Sequence, residues 1–190
     1  MGGIMQSRFS IDASLGLLRG ARQVLSPHCD ERPPGVQPEL IVVHGISLPP
    51  GEFGGPWIEQ LFTGCLNRTA HPHFAAICEL RVSSHVLIRR DGEPVQFVPF
   101  GQRAWHAGAS SWQGRPACND FSVGVEMEGT DAGVYESAQY AALSALITAL
   151  CAAYPTLARE RVVGHSDIAP GRKSDPGPAF EWPLLKELLT

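Results

Sequence analysis

Leu40–Val43 reads Leu-Ile-Val-Val and ends on His44, and "RVVG" ends in the same way on His165. Runs this short, apolar and β-branched suit strands buried within a sheet. "FSVGVEMEG" adds a third strand with a period of two. Phe121, Val123, Val125 and Met127 share one face; Ser122, Gly124, Glu126 and Glu128 share the other. That second face sets small residues beside two carboxylates and leaves room for something to sit on it. "HVLIRRDGEPVQFV" reads as a hairpin, its strand-like halves joined at Asp91-Gly92. Leu143, Leu146, Ile147, Leu150 and Tyr154 recur at helical spacing, which predicts a helix over Ser137–Tyr154 that stops at Pro155. Pro56 opens a shorter helix in "PWIEQLF". Strands and helices are interspersed, so the chain is expected to form an α/β fold, a central mixed β-sheet flanked by helices.

A chain of 190 residues that is 44% hydrophobic can bury the core of one domain. Residues 1–19 read as a loosely attached lead-in and residues 20–190 as the domain. The formal charge of −4 offers no basic field for a nucleic-acid backbone, so that partner class is excluded. Five scattered cysteines, an odd number with no C-x-x-C pair, read as reduced thiols of a cytosolic protein. The opening segment carries Asp and Arg where an export signal needs an unbroken apolar core. Ala141–Ala153, the longest apolar stretch, contains Ser144 and Thr148 and is too short to span a bilayer. A cytoplasmic location without membrane contact is expected.

Chemistry concentrates at the two strand-end histidines. Neutral imidazole is a frequent metal ligand, and two of them with one carboxylate make a three-ligand zinc site with a fourth position open to water. "GHSDIAPGRKSDPGP" brings His165, Asp167, Lys173 and Asp175 into a loop stiffened by Pro170, Pro176 and Pro178. Asp167 and Asp175 are both candidate ligands, and the "DPG" turn would fix the Asp175 side chain. Taken singly, each feature has a plainer reading. A strand-end histidine serves structure, Glu126 is a solvated strand residue, and Lys173 is surface charge. His28, His71, His73, His85 and His106 are read as structural. Arg81 and the "AWH" of Ala104–His106 are candidates for substrate contact. An Arg suits carboxylates through bidentate pairing, and Trp105 offers a flat apolar wall.

In combination, "VVHGISLPPGEFGGPW", "HPHFAAICELRVSSHVLIRRDGEPVQFVPF", "RAWHAG", "CNDFSVGVEMEGTD" and "GHSDIAPGRKSDPGPAFEW" resemble the AmpD family, the cytoplasmic N-acetylmuramyl-L-alanine amidases of cell-wall recycling. The resemblance runs from roughly Gly20 to Trp182. It implies the fold shared by zinc amidases, peptidoglycan-recognition proteins and phage amidases, with zinc in a groove on the sheet. Residue by residue, the implied zinc ligands are His44, His165 and Asp175, which leaves Asp167 to hydrogen-bond nearby backbone or a ligand histidine. The implied catalytic pair is Glu126, as general base, and Lys173, which would stabilise the oxyanion. The implied substrate is a small molecule, an anhydro-muropeptide cut between its lactyl group and L-alanine by a monomeric enzyme. The alternative is a muropeptide-binding module that does not cut; such a module would lack a ligand or the catalytic acid, and all five positions are kept. Two residues depart from the family pattern. Ser166 replaces a common Cys outside the site. Gly45 stands where Asn is expected, so a side-chain amide able to bond the substrate is missing.

Overall fold

The computed structural model describes residues 9–190. Six strands form its main sheet: β1 (Arg22–Gln23), β2 (Leu40–Ile46), β3 (Val86–Ile88), β4 (Pro94–Gln96), β5 (Ser122–Glu128) and β6 (Val162–Gly164). Their order is β6-β2-β5-β3-β4-β1. Only β3 and β4 pair antiparallel, so the sheet is mixed as expected. The β3–β4 connection closes through Arg89 N–H to Glu93 O, with Gly92 at φ +82° and Asp91 Oδ1 accepting from Glu93 N–H. The turn chemistry read from Asp91-Gly92 is therefore present, within a loop of residues 89–93.

Alternation assigns the two faces of the sheet. Ile41, Val43, Val123, Val125 and Met127 meet Leu143, Leu146, Ile147 and Leu150 of helix α2 (Ser137–Ala153) in the largest core cluster. Gln139 ties the start of α2 to the sheet: its amide donates to Ile88 O and Glu128 O. The helix ends where Tyr154 turns extended before Pro155. On the opposite face Leu40 and Val42 pack with Ala107, Cys118 and Ile168, and α1 (Trp57–Phe62) buries Ile58, Leu61 and Phe62 beside Leu87 and Val95. Helices α3 (His165–Ile168) and α4 (Trp182–Leu188) follow β6. All five cysteines are free thiols. Among the described residues no helix is long and apolar enough to cross a membrane.

Two expectations need correction. Alternation puts Phe121 on the face of Val123, yet it precedes β5 at φ −126°, ψ 13°, which breaks the period. Its ring joins Leu40 and Val42 on the other face. The lead-in of residues 1–19 is also only partly as expected. Residues 1–8 lie outside the described residues, but Ser10–Asp12 pairs antiparallel with Leu17–Arg19 in a hairpin packed on the sheet. Phe9 and Leu18 are 4% and 1% exposed within the α2 cluster, and Leu18 N–H donates to the buried Gln96 Oε1 at 2.7 Å. Leu18 is the only deeply buried strand residue of this hairpin.

Leu18→Ala is therefore expected to cost about 2–5 kcal/mol, as for other large-to-small core changes. Urea unfolding checks this. A change within ~0.5 kcal/mol, usual for surface positions, would show that the hairpin merely rests on the domain.

Candidate active site

The parallel pairing of β2 and β5 sets His44 directly beside Glu126. Adjacent residues in register point to the same face, so both project from the sheet on the side away from α2. On the other flank of β2, Gly164 pairs with Val43, and His165 opens α3 one residue later. Asp175 is brought back to this point by its own backbone, whose carbonyl accepts from Ser166 N–H at 3.0 Å. Asp167 turns away: its Oδ2 accepts from Gly164 N–H at 2.7 Å, the backbone role expected of it.

His44 Nδ1, His165 Nδ1 and Asp175 Oδ2 form a triangle with edges of 2.9, 3.0 and 3.2 Å. Donor atoms ~2.0–2.1 Å from one tetrahedral ion stand about 3.3 Å apart, so these residues fit a single divalent cation with little movement. The far nitrogen of His165 is engaged by Ala107 O at 3.3 Å, which takes the Nε2 proton and leaves Nδ1 with its lone pair. Burial pushes His44 down to about 4, so it is neutral and its contact with Asp175 is not an ion pair. Burial alone would raise the Asp175 carboxyl, but the two imidazoles of His165 and His44 against it hold it well below the usual carboxylate range. A neutral His44 facing an ionised Asp175 carboxylate suits a cation, which needs deprotonated ligands.

Glu126 and Glu128 share a face of β5 and have opposite surroundings. Glu128, 1% exposed, accepts from Gly54 N–H, Arg89 Nη1 and Arg90 N–H. Glu126, 7% exposed, has no hydrogen-bond partner among the described residues. Burial, reinforced by the nearby Asp175 charge and only partly offset by Lys173, raises its pKa to about 8. Lys173 is exposed on the loop between α3 and Asp175, its N–H bonded to Ala169 O. The five residues named as ligands or catalytic groups all line one groove of about 250 Å³.

An apolar wall faces them, formed by Ile46, Leu61, Phe62, Leu80, Val82 and Trp105. Trp105 is held edge and face: its Nε1 donates to Asp30 at 3.1 Å and its ring stacks on His28. Arg81 is exposed between Leu80 and Val82 and is not part of the groove lining. His106, read from sequence as structural or as a substrate contact, lies in the site with Nδ1 2.8 Å from His44 Nε2. The one available signal was Gly124, a hole on the chemical face of β5 that another side chain must fill.

Gly45 has a structural consequence besides the missing amide. A Cβ added there would lie 2.4 Å from the Tyr135 hydroxyl and 3.5 Å from Pro176 Cα. The Tyr135 ring occupies the space above Gly45 and Gly129, and its hydroxyl donates to Pro176 O at 2.9 Å. Position 45 therefore gives up its side chain to a tyrosine that braces the residue next to Asp175.

The N-acetylmuramoyl-L-alanine amidase family model matches residues 34–178. The 1,6-anhydro-N-acetylmuramyl-L-alanine amidase AmpD of Escherichia coli strain K12 is 60% identical over 175 residues, 92% of this chain and 95% of that one. A crystal structure of a selenomethionine derivative of AmpD has a TM-score of 0.91 at 58% identity, covering 95% of this chain and 99% of that chain. The N-acetylmuramyl-L-alanine amidase AmiD of E. coli, solved with the substrate anhydro-N-acetylmuramic acid-L-Ala-D-gamma-Glu-L-Lys, has a TM-score of 0.59 at 29% identity. It covers 83% of this chain and 60% of that chain.

The Glu126 environment gives a signed prediction for the metal-free protein. Between an unfolded pKa of 4.5 and a folded value of about 8, the native state keeps a proton that the unfolded chain has released, so stability falls as pH rises through that window. Glu126→Gln should stabilise the chelator-treated protein, by more at pH 8 than at pH 5, in urea unfolding. An equal gain at both values would mean that Glu126 is already ionised in the fold.

Proposed function

Because the chain belongs to the N-acetylmuramoyl-L-alanine amidase family, we propose that it hydrolyses the amide between the lactyl group of 1,6-anhydro-N-acetylmuramic acid and L-alanine. It does so as a zinc-dependent, monomeric, cytoplasmic enzyme of peptidoglycan recycling. The observation that carries this reading is the convergence of His44, His165 and Asp175 donor atoms beside a buried Glu126 whose carboxylate has no hydrogen-bond partner among the described residues. The names of the AmpD relatives and the muropeptide in the AmiD complex support the substrate class.

Zinc bound by His44, His165 and Asp175 would polarise the scissile carbonyl and bring the pKa of a bound water from ~16 to about 7. Glu126 takes the proton of the attacking water and returns it to the departing alanine nitrogen. With a cation bound beside it, Glu126 would be ionised, the state that can accept that proton. Lys173, on the exposed rim of the groove, donates to the oxyanion as charge develops there. Trp105 supplies a flat wall that Asp30 and His28 keep from rotating, against which a sugar or peptide can lie. Arg81 stands just outside the groove, where its guanidinium can meet carboxylates of a stem peptide that extends beyond the lining.

The role of each residue separates in one set of measurements. Glu126→Ala and Lys173→Ala should keep about one zinc per chain and lose at least ~10²–10³ in kcat, the usual cost of one transition-state group. His165→Ala should lose most of the metal as well. Mass spectrometry of digests should show the anhydro-muramic sugar and a stem peptide with a free alanine amine. Efficient release of peptides from intact sacculi, with anhydro-muropeptide left untouched, would overturn the substrate assignment.

A further inference from the structure

The segment His106–Ala107 touches both histidines of the proposed metal site, and the proton on each contact can be placed. Ser122 Oγ lies 2.6 Å from Cys118 O, and a carbonyl only accepts, so the serine proton is spent there. His106 Nε2 lies 3.0 Å from the same Oγ. With the hydroxyl proton committed, Nε2–H of His106 donates to Ser122. A neutral His106 then carries a lone pair on Nδ1, which faces His44 Nε2 at 2.8 Å and must accept its proton. His44 is left with its lone pair on Nδ1, the atom aimed at His165 and Asp175. The opposite direction of protons would put hydrogen on His44 Nδ1 and close it to a cation.

The surrounding structure is built to keep that order. Gly124 makes the space: a Cβ there would stand 2.4 Å from His106 Cγ and 2.7 Å from its Nδ1. Asn119 Oδ1 accepts both His106 N–H and Ala107 N–H, at 3.1 and 2.8 Å. Ala107 O receives His165 Nε2–H and is anchored by Arg172 Nη2 at 2.6 Å. One short segment thus takes the outer protons of both ligand histidines.

From this geometry we infer that His106 and Ser122 are positioning residues: they set the tautomer and ring orientation of His44 so that its Nδ1 can bind the ion. The inference rests on the reading of His44, His165 and Asp175 as ligands, and it assigns no chemical step to His106. Partners of this kind typically change metal affinity by roughly 10–100-fold.

The test is zinc affinity of the full-length protein, by competition with a chromogenic chelator, together with the visible spectrum of the Co²⁺-loaded form. His106→Leu should weaken Zn²⁺ binding by roughly 10–100-fold and alter the Co²⁺ bands. His106→Asn, which places an acceptor oxygen two bonds from Cβ where Nδ1 stood, should recover most of that affinity. Ser122→Ala leaves the His106 proton undirected and should fall between them, which keeps the test decisive if His106→Leu does not fold. Zinc binding within threefold of the unaltered protein in Ser122→Ala and in whichever His106 variants fold would overturn the inference while leaving the metal site intact. The same holds for variants that lose thermal stability at constant zinc affinity. An unaltered protein that binds no zinc would overturn the metal site itself, and this inference with it.

Discussion

Seven residue pairs in register between Leu40–Ile46 and Ser122–Glu128 hold the rest of the molecule in place. Because side chains alternate across a strand, slipping this pairing by one residue would leave His44 facing a neighbour on the wrong side of the sheet. The register is fixed on the other face, where Ile41, Val43, Val123 and Val125 must all meet α2. The chemistry therefore inherits its geometry from hydrophobic packing on the reverse of the same strands. β6 repeats the device. Its pairing of Gly164 with Val43 delivers His165 to the level of His44.

The same strand shows how surroundings divide two like groups. Glu128 is enclosed by donors and acts as a clamp that joins the Gly54 loop, Arg89 and Arg90 to the end of β5. Glu126, one turn of the pleat earlier, is buried with no donor to its carboxylate among the described residues and carries a raised pKa. A buried carboxyl without partners destabilises the fold, and such groups are found where a protein handles protons. The two residues could not be told apart from composition or alternation. The difference lies in what the 47–56 loop and the hairpin of residues 89–93 bring to one of them and not to the other.

Much of the fold was legible because its signals are local: apolar runs, a period of two, a helical repeat and the prolines and glycines between them. The two histidines proposed as ligands stood out for the same reason, each closing a short strand. What escaped was set by contacts between distant residues. His106 is 62 positions from His44, and its orientation depends on Ser122, Cys118 and the missing side chain of Gly124. Nothing in the neighbours of His106 along the chain encodes that. Leu18 was overlooked because its strand has only three residues, and Phe121 because one residue with ψ near zero ended the alternation just before β5.

Tyr135 and Gly45 also bear on how this chain can change over evolutionary time. The hydroxyl that fills the volume above Gly45 also holds Pro176, next to Asp175, so neither position can drift alone. A lineage moving from Gly45 toward a larger residue would first have to shrink or swing Tyr135, and would pass through an intermediate with a loosened Asp175 loop. The reverse route, enlarging position 135 before position 45 becomes glycine, is blocked by the same overlap. The two sites form an epistatic pair, in which the tolerated residue at one is conditional on the residue at the other.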